Sequence, residues 1–199
     1  MNPGSKREVE IKLRLADAAE GRRRLRQAGF RVARRRVFER NVIFDTSGQT
    51  LRRRGLLLRL RTAGKQSLVT FKGPAEPGKH KIRKEIESEL RGPEAFAEIL
   101  EGLGYQPSFR YEKYRTEYVE HSGTGLRPVG AGSGAGRAML DETPAGTFLE
   151  LEGPPRWIDR TARRLGFSEA DYITASYAEL HRDTAPARRD MLFLPVGGR

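Results

Sequence analysis

The chain opens on an alternation. From Arg7 to Leu15, Val9, Ile11, Leu13 and Leu15 take every second position, and Glu8, Glu10, Lys12 and Arg14 fill the positions between. A period of two is that of a β-strand with one apolar and one charged face. Asp17 stands where a helix N-cap belongs, 18–28 reads as a basic helix, and Gly29-Phe30 closes it. Further strands are predicted over 31–38, 41–46, 56–62, 67–72 and 82–91, with a Ser47-Gly48 turn and a loop from Gly73 to Gly78. Pro93 opens a helix on which Phe96, Ile99, Leu100 and Leu103 recur at helical spacing before Gly104-Tyr105. Residues 109–119 are extended, and 137–141 pairs with 147–152 around Thr143-Pro144-Ala145-Gly146. Pro154-Pro155 opens a helix carrying Trp157, Ile158, Ala162 and Leu165, and a last short helix spans about 174–182. The organisation expected is a single domain over 1–183 with a flexible glycine-rich insertion at 121–136, then a loosely ordered tail at 184–199.

The polar faces of these strands carry formal charges, sorted by strand. Acidic pairs are Glu8/Glu10, Glu85/Glu87 and Glu150/Glu152; basic pairs are Arg59/Arg61 and Lys113/Arg115, with Lys12 and Lys72 added. For any one strand the plain reading is a solvated face that discourages edge pairing. Repeated along the chain, with helices that need an apolar face to cover, it points to an antiparallel sheet curled shut. The fold class is then α+β, with helices packed outside a closed barrel whose lumen holds both acids and bases.

Charge and composition narrow the chemistry. Among 199 residues, 38 Lys+Arg against 26 Asp+Glu leave a net +12, which calls for an anionic partner. No cysteine is present, so disulfides, thiolate metal sites and thiol catalysis are excluded. His80, His121 and His181 lie far apart and are assigned to surface or loop positions, Trp157 to the core, and Ser176 to a helix surface. Arg34-Arg35-Arg36 and Arg52-Arg53-Arg54 read as solvated surface, and the glycines of 130–136 fail the GxGxxG spacing. No apolar run approaches the roughly 18 residues of a spanning helix, and no apolar leader opens the sequence, so a cytoplasmic protein without membrane contact is expected. Carboxylates without His or Cys beside them suit Mg²⁺ or Mn²⁺, and clustered Arg and Lys suit phosphate oxygens. Together they describe a metal-assisted site for a polyphosphate chain.

These residues resemble a known family. Glu8-x-Glu10-x-Lys12 is similar to the ExExK signature of the CYTH domain, the triphosphate tunnel metalloenzymes. Phe44-Asp45-Thr46, Leu58-Arg59-Leu60-Arg61, Thr70-Phe71-Lys72-Gly73, Arg83-x-Glu85-x-Glu87 and Lys113-x-Arg115 resemble its later strands in order. Asp141-Glu142 and Gly146-x-Phe148-Leu149-Glu150-Leu151-Glu152-Gly153 resemble its late acidic strand, and Ser176-Tyr177-x-x-Leu180 its C-terminal helix. The resemblance implies a tunnel of eight antiparallel strands with a triphosphate threaded inside. It implies that Glu8, Glu10, Glu150 and Glu152 hold Mg²⁺ or Mn²⁺, assisted by Glu85, Glu87 and Asp141. Lys12, Arg59, Arg61, Lys72, Arg83, Lys113 and Arg115 would hold the phosphates, and Glu8, Glu10, Lys12, Glu150 and Glu152 would carry catalysis. The activity implied is hydrolysis of inorganic triphosphate or of an organic one such as thiamine triphosphate. One alternative is a class IV adenylate cyclase, turning ATP into cyclic AMP and pyrophosphate; another is a non-catalytic polyanion binder. Specific nucleic-acid binding is not expected, and a homodimer stays open.

Overall fold

The computed structural model describes residues 5–121 and 136–194. Period-two segments form the strands β1 (Ser5–Leu15), β2 (Phe30–Asp45), β3 (Leu57–Ala63), β4 (Gln66–Lys72), β5 (Lys81–Glu89), β6 (Gln106–Glu120), β7 (Arg137–Thr143) and β8 (Gly146–Glu152). They pair antiparallel in the order β1-β5-β4-β3-β2-β6-β7-β8, and β8 returns to β1, so the sheet closes. The helices are α1 (Ala18–Gln27), α2 (Thr50–Arg53), α3 (Pro93–Gly102), α4 (Pro155–Arg164) and α5 (Tyr177–Thr184). None of the described helices is long and apolar enough to cross a membrane.

Closure sends the two halves of each alternation to opposite sides of the wall. Ile11 and Leu13 of β1, Leu140 of β7, and Leu149 and Leu151 of β8 face outward, where Leu25 of α1 and Trp157, Ile158 and Ala162 of α4 cover them. Phe44, Leu60 and Leu100 make a second cluster beneath α3. The apolar core thus lies between barrel and helices, each large side chain there contributing about 1.5–3 kcal/mol on burial. Short strands leave backbone edges open, and irregular segments fill them. Where β5 stops pairing with β1, Lys12 exchanges hydrogen bonds with Ile173. Where β6 runs past β7, Met191 accepts from Glu112 N–H and donates to Arg110 C=O, both at 2.9 Å.

Several expectations change on folding. Residues 31–38 and 41–46 are one strand, β2, because Glu39 and Arg40 continue the ladder to β6 across register shifts between Val32 and Arg34 and between Arg34 and Val37. The last helix begins at Tyr177, with Ser176 as its N-cap, bonded reciprocally with Glu179. His80 and His181 are buried instead of sitting on the surface: His80 bonds Asp159 at 2.7 Å, and His181 bonds the Arg188 carbonyl at 3.0 Å. Trp157 is buried in the core beneath α4. Of the insertion expected at 121–136, residues 122–135 lie outside the described residues. So does the end of the tail from 195 on, whereas Met191 is fully buried against Phe109 and Tyr177.

The ordering of cores makes a stability contrast. Ile158→Ala removes a fully buried side chain and is expected to cost about 2–5 kcal/mol by denaturant titration. Ile99→Ala, at a position 57% exposed, should stay within about 0.5 kcal/mol of wild type.

Candidate functional site

The charged half of each alternation meets inside the barrel. There it encloses a cavity of about 340 Å³ lined by eleven Lys or Arg and eight Glu side chains. Glu8, Glu10 and Lys12 reach it from β1, Arg59 and Arg61 from β3, and Lys72 from β4. Arg83, Glu85 and Glu87 come from β5, Lys113 and Arg115 from β6, and Glu150 and Glu152 from β8. Asp141 is on the same face but does not line the cavity. It is fully buried, accepting hydrogen bonds from Lys113 at 2.8 Å, from Arg115 at 2.7 and 2.6 Å, and from the Tyr177 hydroxyl at 2.7 Å. Its oxygens are committed to cations, which leaves them little capacity for a metal ion.

Opposite charges share partners around the lumen. Lys72 Nζ lies 2.6 Å from both Glu8 and Glu85. Lys12 Nζ stands 3.3 Å from Glu10 and 3.3 Å from Glu150, one ammonium held between two carboxylates. Lys6 bridges Glu85 at 3.3 Å and Glu152 at 2.7 Å, and Arg115 also pairs with Glu150. On the β2 side Arg61 donates to Asn41 at 2.9 Å and stands 3.4 Å from Glu39, which Lys113 approaches to 3.6 Å. Arg59 donates to Thr70 at 3.1 Å and to the Tyr111 hydroxyl at 3.2 Å. Among the described residues two guanidinium N–H groups, Arg59 Nε and Arg83 Nε, are buried and make no hydrogen bond, with Glu8 standing 3.5 Å from Arg83 Nε.

The balance differs from corner to corner. Glu8 is raised above the usual carboxylate range by burial and by the Glu10 charge, with Glu85 adding to it against Lys72. For Glu10, burial pushes upward but Lys12 and Lys72 prevail and hold it at about 2. Against the same opposing burial, Glu85 is brought to about 2 chiefly by Lys72, and Glu39 to about 2 by Lys113 and Arg61. Burial also opposes the fall of Glu150, which Arg115 and Lys12 hold well below the usual range. Lys81 is lowered to about 8 by burial and by Lys12. Tyr111, despite its burial, is brought down to about 8 by Arg59, Arg61 and Lys113. Glu8, Glu10 and Glu85 make an all-oxygen donor set, and a hard divalent cation would relieve the crowding that raises Glu8, so the residues fit such an ion by their chemistry. As they stand, the side chains are drawn to ammonium and guanidinium groups. Among the described residues no three His, Asp or Glu are grouped as metal ligands.

The fold also brings in residues to which the motifs assign no site role. Lys6, Lys81, Tyr111 and Arg137 line the lumen, and each shares strand parity with an expected site residue or its neighbour in the ladder. Glu39 and Arg34 both reach it from β2, at odd and even positions, because the register shift between Arg34 and Val37 changes the parity. Tyr177 enters from α5, with the Lys12 and Lys113 ammonium groups each 5.2 Å from its ring centre. No local signal in the strands foretells it. Beyond the lumen lies an outer chamber of about 840 Å³, walled by Leu56, Pro77 and Phe109 together with Arg52, Arg182 and Arg188.

Glu10, Glu39 and Glu85 bind protons less readily folded than unfolded, so their contribution is present above about pH 4.5 and is lost as pH falls toward 2. Melting temperature is expected to drop steeply across that window. Glu39→Gln should flatten part of the drop in thermal melts recorded between pH 6 and pH 2, as roughly set by these groups.

Comparison with known proteins agrees with this architecture. A protein of Methanocaldococcus jannaschii, provisionally named an adenylate cyclase, is 27% identical over 188 residues, covering 87% of this chain and 97% of that protein. Among solved structures, one from Pyrococcus horikoshii superposes with a TM-score of 0.72 at 23% identity, over 89% of this chain and 99% of its own. One from Hippeastrum, described as a provisional adenylyl cyclase with a dominant triphosphatase activity, gives 0.60 at 17% identity, over 96% of this chain and 100% of its own. The CYTH domain model matches residues 6–177, the span that builds the barrel and its charged lumen. This chain belongs to the CYTH domain family.

Proposed function

We propose that the protein hydrolyses a triphosphate held in the lumen, with Mg²⁺ or Mn²⁺ as cofactor. The observation that carries this reading is a closed lumen with more cations than acids, in which the buried N–H groups Arg59 Nε and Arg83 Nε make no hydrogen bond among the described residues. Phosphate oxygens are acceptors of the required charge, and Arg meets them with directed hydrogen bonds. Glu8, Glu10, Glu150 and Glu152, with Glu85 and Glu87 in support, would hold the metal ion, which neutralises phosphate charge and polarises the bond to be broken. Lys12, Arg59, Arg61, Lys72, Arg83, Lys113 and Arg115 bind the phosphate chain and exchange some of their carboxylate partners for it.

Lys12 illustrates the exchange. Its ammonium is shared between Glu10 and Glu150, so moving it toward a phosphate frees two carboxylate oxygens together. In the hydrolytic step a water attacks the terminal phosphorus, the bridging P–O bond breaks, and the diphosphate leaves with the electron pair. A lumen carboxylate not engaged by the metal ion takes the proton of that water. Lys113 and Arg115, fixed by Asp141, offset the charge on the leaving oxygen. The triphosphatase activity described for the Hippeastrum relative supports this choice.

One observation favours a second reading. The outer chamber adjoins the lumen and is large enough for a nucleoside, and the Methanocaldococcus relative carries a cyclase name. In that case the ribose 3′-hydroxyl attacks the α-phosphorus of ATP and pyrophosphate leaves.

Purified protein with Mg²⁺ or Mn²⁺ and inorganic triphosphate, ATP or thiamine triphosphate is expected to release phosphate, and to stop on chelation. Cyclic AMP and pyrophosphate instead would move the assignment to the cyclase, and turnover of none would retire the enzyme. Glu10→Gln and Glu152→Gln should each lower kcat/KM by at least about 10–100-fold, a loss seen even for the outer partners of a metal. In a polyanion binder the same changes would leave binding intact or tighten it.

A further inference from the structure

Ten of the eleven cationic side chains around the lumen have a carboxylate within 4.0 Å, Arg83 among them with Glu8 at 3.5 Å and Glu10 at 4.0 Å. Lys81 is the exception among the described residues. It is 7% exposed and forms neither an ion pair nor a side-chain hydrogen bond with any described residue. The acids around it are engaged elsewhere. Glu10 lies opposite it in the β1–β5 ladder, but the Glu10 carboxylate faces Lys12 and Arg83. Glu179 of α5 accepts from Ser176 N–H at 2.6 Å and from the Ser176 hydroxyl at 2.7 Å. The charges acting on Lys81 are Lys12 and Arg83, of its own sign, set against Glu10 and Glu179. Keeping an ammonium there without a partner costs stability, and a hydrophobic residue of the same length would not incur that cost.

Its position indicates what the ammonium is for. Lys81 and Arg83 line both the lumen and the outer chamber, so Lys81 stands at the neck where the two spaces meet. A triphosphate threaded through the lumen has one end phosphate near this neck. In an organic triphosphate that is the phosphate esterified to the group in the outer chamber. We propose that Lys81 is a substrate-binding residue that grips this outermost phosphate, an inference that rests on the triphosphate reading above. The motifs do not include it: Lys81 precedes the Arg83-x-Glu85-x-Glu87 run by two positions and is recognised only by its parity and its lack of a partner.

Two variants separate binding from structure. Lys81→Met keeps the stem and removes the charge; Lys81→Arg keeps the charge. Affinity for inorganic triphosphate and for ATP, each with Mg²⁺, is measured by calorimetry, and melting temperature is measured without ligand. Lys81→Met is expected to melt at or above wild type and to bind both ligands about 10–100-fold more weakly, the range for one charge-assisted hydrogen bond. Lys81→Arg should stay within about threefold of wild type on the same scale. A Lys81→Met protein that binds as wild type does, or that melts below wild type, overturns the assignment. Wild-type protein that binds neither ligand overturns it together with the triphosphate reading, whereas wild-type binding with an indifferent Lys81→Met removes this inference alone.

Discussion

The structure depends on mutual neutralisation of charges that have been taken out of water. Eight carboxylates and eleven cations around one cavity would repel or desolvate the barrel apart if they were sorted by sign. The strand register prevents that. Glu8 stands opposite Arg83 across β1 and β5, Lys12 opposite Glu150 across β1 and β8, and Lys72 opposite Glu85 across β4 and β5. Glu8, Glu150 and Glu85 therefore each have a basic residue across the ladder, and Lys12 also bridges along β1 to Glu10. Such pairs add little net stability, since desolvation offsets most of their attraction. Their effect is to make a hydrophilic lumen tolerable.

Stability comes from elsewhere, and the placement is inverted relative to a small barrel with an apolar interior. Leu13, Leu149 and Ile158 exclude water on the outer side of the wall, where α1 and α4 cover it. This leaves the interior free of packing duties along most of its length. At the Asp141 end, Tyr177 packs edge-on against Phe148 and holds Asp141 through its hydroxyl, so an apolar cluster abuts the ion network. Asp141 in turn orients Lys113 and Arg115. It positions the bases by these hydrogen bonds, while Glu8, Glu10, Glu150 and Glu152 of β1 and β8 pair with Lys72, Lys12, Arg115 and Lys6.

The same network gives the site its chemistry. The lumen carries an excess of cations, yet burial and the Glu10 charge raise Glu8 above its ordinary value. An anion and a divalent cation entering together would satisfy both imbalances. That is why one cavity can hold so many acids and still favour a phosphate chain. Lys81 extends the logic to the neck, where a positive charge has no partner among the described residues.

Much of this was legible in the chain itself. Alternation in Val9–Leu15, Arg59/Arg61, Lys113/Arg115 and Glu150/Glu152 is enough to place the charges on one face, because side-chain direction in a strand obeys parity. Parity also reaches Lys81 and Tyr111, once the strand ends are known. It fails at Glu39 and Arg34, where register shifts against β6 break the count, and at Asp141, whose face was right but whose carboxylate is used up by Lys113, Arg115 and Tyr177. Those outcomes belong to tertiary structure because they depend on which strands become neighbours and on a helix arriving from the far end of the chain. Local sequence determined which residues could be ionic and inward; only closure of the barrel decided which ions would meet, since the distance between strands far apart in sequence is set by the whole sheet.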